Sequence, residues 1–306
     1  MPASPLFDFR LSPADFRYLG SDLRRPEGVL ALHDGSVLAA CRGRVATHVA
    51  PDGVTRHAGS GAALANTFAL DADGTTLVAD LERGAVLRMG PGGRADTLYD
   101  CFDDAPLGAV NFIMAGEVPG VWWLSVSSRD VNYRSAIDVP RPDGRILRID
   151  ADGLTLAADG LFFPNAMQID PVRGFFYVIE TTAGRVARAT LDHSGRPGAF
   201  QPFGAAPLYP GAYPDGLALD QEGNVWITEL SRNALLLLNA DGAVQTVFDD
   251  PSAETLRSPT GLAFGGSDLR TVFVGSLKMT TIPTFRAPIA GLPMRHWRDR
   301  ARPGFF

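Results

Sequence analysis

An all-β chain folded as a six-bladed propeller is the architecture this sequence predicts, on three observations. Six short apolar strand patterns recur, each opening just after an oxygen-bearing residue: Pro26-Glu27-Gly28-Val29-Leu30, Ala65-Asn66-Thr67-Phe68-Ala69, Val110-Asn111-Phe112-Ile113, Pro164-Asn165-Ala166-Met167-Gln168, Pro214-Asp215-Gly216-Leu217-Ala218 and Pro259-Thr260-Gly261-Leu262-Ala263. Laid on one another, they bring Glu27, Asn66, Asn111, Asn165, Asp215 and Thr260 to one repeat position, with spacings of 39, 45, 54, 50 and 45 residues. Each start leads through tight-turn signals into further strands, and about 45 residues with four strands is the unit of a propeller blade. No long helical periodicity competes.

Taken in order, each first strand runs into a turn such as His33-Asp34-Gly35, Asp71-Ala72-Asp73-Gly74 or Asp220-Gln221-Glu222-Gly223. Asp-Gly and Glu-Gly pairs supply the positive φ of tight hairpins. Second strands follow at Ser36–Ala40, Thr76–Ala79, Phe175–Ile179, Asn224–Thr228 and Thr271–Val274. Third strands read at Arg44–Val49, Ala85–Met89, Arg145–Ile149, Arg185–Thr190 and Ala234–Leu238, and a short fourth strand follows another turn. The last blade takes the segment after Thr281, through Phe285 to Pro288, with Asp15–Gly20 as the candidate outer strand that closes the ring. The whole chain, 1–306, therefore reads as one propeller domain with a loop insertion at about 127–143. A long loop on such a frame covers an opening or contacts a ligand. This one carries Arg129, Asn132, Tyr133 and Arg134.

Bulk composition narrows the partners. Hydrophobic content of 45% is ample for a continuous core, and 20% charged residues argue against disorder. A net charge of −6 disfavours nucleic acid and anionic membrane. Met1-Pro2-Ala3-Ser4-Pro5-Leu6-Phe7-Asp8 lacks the pattern of a secretory signal, and no run approaches the roughly 18 apolar residues of a membrane span. Two cysteines, Cys41 and Cys101, suit a reducing compartment, so the cytoplasm is expected. The expected state is a monomer or small homo-oligomer acting on a small molecule.

The repeat position carries the chemistry. In a propeller the innermost strands line the axis, so residues at their entrances meet there. Glu27, Asn165 and Asp215 bring two carboxylates and a carboxamide. Two such carboxylates repel unless one is protonated or a cation sits between them. Hard oxygen ligands, with no His or Cys at equivalent positions, favour Ca²⁺, Mg²⁺ or Mn²⁺ over Zn²⁺. The expectation is one divalent cation, Ca²⁺ first, with Mg²⁺, Mn²⁺ or Zn²⁺ as alternatives. Three protein ligands leave coordination positions for water or substrate, which suits catalysis. For any single member, an Asn or Asp capping a turn is the commoner role. It is the six in register that favour a shared site, and Asn66 and Thr260 are its weakest members.

These residues resemble the regucalcin (senescence marker protein 30)/gluconolactonase/luciferin-regenerating enzyme family. The resemblance runs from about Leu23 to Ser276 and is most specific over Pro214–Trp226. It implies a six-bladed propeller, one axial dication and, in many members, lactone hydrolysis. It implies Glu27, Asn165 and Asp215 as cation ligands and Asn111 as the residue meeting substrate or water. One departure is informative. Sugar lactonases of this family usually carry Arg two residues before the third-blade Asn, where Ala109 stands here, and Val110 and Phe112 replace polar neighbours. With Phe162, Phe163, Tyr209 and Tyr213 close by in sequence, a less polar lactone or ester is expected rather than an aldonolactone.

On this reading the cation polarises the substrate carbonyl. Asn111 and Asp215 are the candidate catalytic residues, Asp215 accepting the water's proton with Glu27 as the alternative base. Asn111, Arg129, Tyr133, Phe163 and Tyr213 are the candidate substrate contacts. There is no Gly-x-Ser-x-Gly elbow, and the five histidines stand singly. Rival readings are a metal-dependent phosphotriesterase, a calcium- or ligand-binding propeller without turnover, and a metal-free enzyme resembling strictosidine synthase. The axial carboxylates argue against the last.

Overall fold

Residue Leu6 and residues 8–305 are described by the computed structural model; most of the Met1–Asp8 stretch lies outside them. Six four-stranded antiparallel sheets are arranged as a β-propeller. Their innermost strands are Val29–Ala31, Ala65–Leu70, Val110–Ala115, Pro164–Asp170, Pro214–Leu219 and Pro259–Gly265. These are the six predicted starts. In the sixth blade, Ile282–Arg286 is the third strand and Arg17–Leu19 pairs with it, Arg17 opposite Thr284 and Leu19 opposite Ile282. The N-terminal segment thus closes the ring as expected.

Six apolar cores hold neighbouring blades together. Leu38, Leu70 and Leu87 join blades 1 and 2. Ile113, Leu124 and Leu77 join blades 2 and 3. Trp123 and Phe176 join blades 3 and 4, with ring centroids 5.1 Å apart at an edge-on angle. Similar clusters link the remaining pairs and return from Phe273 of blade 6 to Val37 of blade 1. Burial of large side chains at each seam, worth roughly 1.5–3 kcal/mol apiece, makes the ring one cooperative body.

Three features extend the sequence reading. Trp122–Val126 is the second strand of blade 3. A small hairpin, Cys101–Phe102 with Ala105–Pro106, stands between blades 2 and 3, turning at Asp103 and Asp104, both at positive φ. The 127–143 insertion carries a short helix, Arg134–Asp138. Cys41 is buried and Cys101 exposed, and both are free thiols. Among the described residues no helix is long and apolar enough to cross a membrane.

The axis is not solid. A cavity of about 50 Å³ lies along it, lined by apolar residues of the inner strands such as Leu30, Phe68, Ile113, Met167 and Leu262. The chain beyond blade 6 reaches it through Leu292, Met294, His296 and Trp297. His296, in the helix Arg295–Arg298, is buried with Nε2 2.9 Å from the Ala31 carbonyl oxygen. Arg295 donates to the Gly116 carbonyl at 3.0 Å and pairs with Asp71.

Candidate functional site

The polar ring forms largely because five of the six inner strands break register where they begin. Pairing with the second strand shifts between Ala65 and Thr67, Val110 and Phe112, Pro164 and Met167, Pro214 and Leu217, and Pro259 and Leu262. A bulge frees one residue from the ladder and re-aims its side chain. The freed residues include Asn66, Asn111, Asn165, Asp215 and Thr260. All five, and Glu27, are buried. The next position must be small where inner strands press together. A Cβ on Gly28 would lie 2.4 Å from the Asn66 carbonyl oxygen, and one on Gly216 only 2.1 Å from that of Thr260.

Hydrogen bonds run around this ring through all six blades. Arg25 pairs with Glu27 and donates to Asn66 Oδ1 at 3.0 Å. Asn66 donates to Asn111 Oδ1 at 2.6 Å, and Asn111 to Ser127 Oγ at 2.9 Å. Ser127 donates to the Pro164 carbonyl at 2.7 Å. The adjoining Asn165 donates to Asp215 Oδ2 at 3.2 Å and Thr181 Oγ1 at 3.3 Å. Thr228 accepts from the Gly216 amide at 2.7 Å and donates to the Thr260 carbonyl at 2.5 Å. Thr260 Oγ1 closes the circuit on the Glu27 carbonyl at 3.0 Å. Thr260 is therefore a backbone-bonding residue and Asn66 a bridge, the lesser roles expected of the two weakest members.

The electrostatics are those of anions short of counter-charge. Burial, and then Glu27 nearby, push the Asp215 carboxyl up to about 8, against the pull of Arg25 and Asn165. Burial raises Glu27 as well, opposed by Arg25 and Asn66. Glu27 Oε2 is shut from solvent and accepts no well-directed hydrogen bond, although Arg25 lies against it. Asp215 accepts on Oδ2, and Asn165 donates through Nδ2. That leaves Asp215 Oδ1 and Asn165 Oδ1 as acceptors without an N–H partner. Three hard oxygens from blades 1, 4 and 5, two of them anionic, fit a divalent cation. Among the described residues no three His, Cys, Asp or Glu side chains gather to hold an ion, so the carboxamide of Asn165 is essential to such a set.

The candidate substrate contacts separate into two groups. Phe163 is buried, with φ of 54°, two residues before Asn165. Tyr213 occupies the same place before Asp215; its hydroxyl is buried without a partner. Burial raises that phenol's pKa, with further contributions from Asp215, Asp138 and Tyr133. Tyr133 packs against Leu64, Leu81 and Ala109, so the 127–143 loop lies over the side of the ring formed by blades 2 and 3. Arg129 departs from the expectation. It is exposed and bound to Asp159 at 2.5 Å on the outer strand of blade 3.

Sequence reasoning missed Arg25, Ser127, Thr181 and Thr228. Arg25 had a readable signal. It stands two residues before Glu27, the place that Ala109 leaves without an arginine in the third repeat. The three hydroxyls sit at the ends of second strands, or just past them, where only the folded register shows that they face the ring.

Comparisons with known proteins agree with this architecture. A curated relative, 6-deoxy-6-sulfogluconolactonase of Pseudomonas putida, is 33% identical over 137 residues, 44% of this chain and 46% of that protein; the matched stretch thus spans less than half of the relative. A solved gluconolactonase from Xanthomonas campestris has a TM-score of 0.71 at 19% identity, over 90% of each chain. Regucalcin of Agrobacterium tumefaciens, described as calcium-binding, scores 0.72 at 17% identity, over 92% of this chain and 98% of that one. A luciferin-regenerating enzyme scores 0.75 at 14% identity, over 90% and 95%. At these identities the structures speak for the fold. The family model described as SMP-30/Gluconolactonase/LRE-like region matches residues 118–278, more than half of the chain. With its propeller, its polar ring and this match, the chain belongs to the SMP-30/gluconolactonase/luciferin-regenerating enzyme family.

Proposed function

We propose that this protein hydrolyses a lactone or related cyclic ester with a divalent cation, Ca²⁺ first, held by Glu27, Asn165 and Asp215. The observation that carries the reading is the meeting of these three side chains from blades 1, 4 and 5, with Asp215 raised to about 8 and Glu27 beside it. When bound, the cation supplies Lewis-acid polarisation of a carbonyl and charge balance for the carboxylates. The relatives named as lactonases support the reaction class, and the calcium-binding relative supports the ion.

The chain's own residues then divide the work. Asp215 would offer Oδ1 to the ion and keeps Oδ2 on Asn165, which fixes its plane and leaves the second lone pair of Oδ2 to take a proton from water. Glu27 is less suited to that role, because Arg25 holds it. Asn111 is anchored at both ends, by Asn66 and Ser127, yet keeps one N–H and one oxygen lone pair for substrate or water. Phe163 and Tyr213, with Tyr133 from the loop, form the flanks of the opening and limit water around the reacting ester.

The test is a pH-stat assay of a panel of five- and six-membered lactones on chelator-treated protein, with and without added Ca²⁺, Mg²⁺ or Mn²⁺. Hydrolysis that returns with the metal and vanishes in Asp215→Ala is expected. Full activity of metal-free Asp215→Ala defeats the proposal. Running a phosphotriester beside the lactones separates the P=O alternative.

A further inference from the structure

We propose that Arg25, with Tyr213, forms an anion-recognising subsite on the rim of the axial ring, so that the cyclic ester opened here carries a fixed negative charge: a carboxylate, a sulfonate or a phosphate. The inference deepens the lactonase reading and rests on it.

Arg25 occupies its place at a conformational cost. Its φ of 54° is left-handed, a region an arginine seldom adopts. Phe163 and Ser258, two residues before Asn165 and Thr260, share that conformation at φ of 54° and 46°. The kink is thus a repeated device at the entrance of the inner strand. In blade 1 it turns an arginine toward the ring, while its neighbour Arg24 stays exposed. The Arg25 side chain is only 12% exposed. Its Nη2 serves Glu27 and Asn66, but Nη1 is shut from solvent and has no hydrogen-bond partner. A buried guanidinium with idle N–H groups is costly unless a ligand completes it. Tyr213 Oη, also buried and partnerless, is a second such donor.

Charge counting points the same way. Glu27 and Asp215 contribute two negative charges, which a dication balances, and Arg25 then adds a positive charge at the blade 1 side of the ring, away from Asp138, the further carboxylate that acts on Tyr213. With Nη2 spent on Glu27 and Asn66, Arg25 meets an oxyanion through Nη1 in a charge-assisted hydrogen bond. Of the other residues at this level, Ser258 is half-buried, while Leu64, Ala109 and Phe163 are buried and apolar. These apolar side chains offer no rival acceptor for Arg25 and suit the hydrocarbon of a small ring. On this proposal the less polar lactone or ester expected from the missing arginine at Ala109 carries an anionic group, met by an arginine of blade 1 instead of blade 3.

The experiment uses γ-butyrolactone and the same ring bearing a carboxylate or a methylsulfonate on the γ carbon, assayed with Ca²⁺-loaded wild type, Arg25→Gln and Arg25→Lys. Wild type should favour the charged rings, mainly through a lower KM. Arg25→Gln should cut that preference by roughly tenfold to a hundredfold, and Arg25→Lys should retain part of it. Whichever charged ring is favoured identifies the anion. Calorimetric binding of tetrahydrofuran-2-carboxylate, which cannot be hydrolysed, should weaken in step in Arg25→Gln. Equal use of neutral and charged rings by wild type overturns the proposal. So does an equal loss on all rings in Arg25→Gln with its melting temperature kept, for Arg25 would then act only by steadying Glu27. If wild type opens none of the rings, the lactonase reading fails and the calorimetry alone decides the anion site.

Discussion

Asp220 shows how much a single buried side chain can organise. Its carboxylate accepts from the amides of Glu222 and Asn224, from the Asn224 side chain, and from Trp226 Nε1 at 3.0 Å. Asp220→Ala leaves these donors unpaired in the interior, and we expect a loss of about 2–4 kcal/mol, read from the urea midpoint. In the sequence Asp220 is legible only as the first residue of a turn, because its reach to Trp226 depends on the folded hairpin. Glu27, Asn165 and Asp215 were legible for a different reason: an oxygen donor recurring at one register position has a geometric meaning once the repeats are radial. Arg129 shows the reverse. Type and loop position nominated it, but the nearby Asp159 claims its charge. Arg25 escaped notice although its place two residues before Glu27 was readable, because its inward turn depends on a left-handed backbone.

The strands were readable wherever an Asp-Gly or Glu-Gly turn marked them. Trp122–Val126 went unread: the turn before it, Glu117-Val118-Pro119-Gly120, lacks that pair, as do those before Phe175 and Thr271, and is secured from afar by Asp71 Oδ2 on the Gly120 amide at 2.8 Å. The insertion differs, its order coming from polar contacts within itself. Arg141 donates to Asp143 at 2.9 Å, to the Ser135 carbonyl at 3.0 Å and to Ser135 Oγ at 2.8 Å. Arg141→Ala should loosen residues 128–143, seen as faster proteolysis there and a higher KM with little change in melting temperature. The segment beyond blade 6 had no reading from the sequence, because its role depends on the cavity it borders. Its His296 is held neutral by burial, which lowers the imidazole to about 4. An unfolded histidine binds its proton near pH 6.5, so the unfolded chain holds more protons between about 6.5 and 4. Stability from this residue is complete above 6.5 and is lost as pH falls toward 4, by roughly 3 kcal/mol in all. Melting temperature against pH should therefore be flatter across that window in His296→Gln than in wild type.

Closure joins the two ends of the chain into one body. Phe16, buried beside the outer strand Arg17–Leu19, packs on Phe248 of blade 5 and Phe285 of blade 6 with centroids 4.7 and 5.7 Å away. Phe16→Ala should cost about 3–5 kcal/mol, and calorimetric unfolding should show whether blades 5 and 6 then part before the rest. The ring and its closure were legible because six similar units leave few ways to bury their faces. The apolar tunnel was not, being a property of the assembled axis. What gives the assembly a chemistry is the claim that blades 1, 4 and 5 share one ion. Anomalous scattering from crystals grown with saturating Ca²⁺ tests it most directly. We predict a single axial peak about 2.3–2.6 Å from oxygens of Glu27, Asn165 and Asp215. A featureless axis at saturating Ca²⁺ would contradict it.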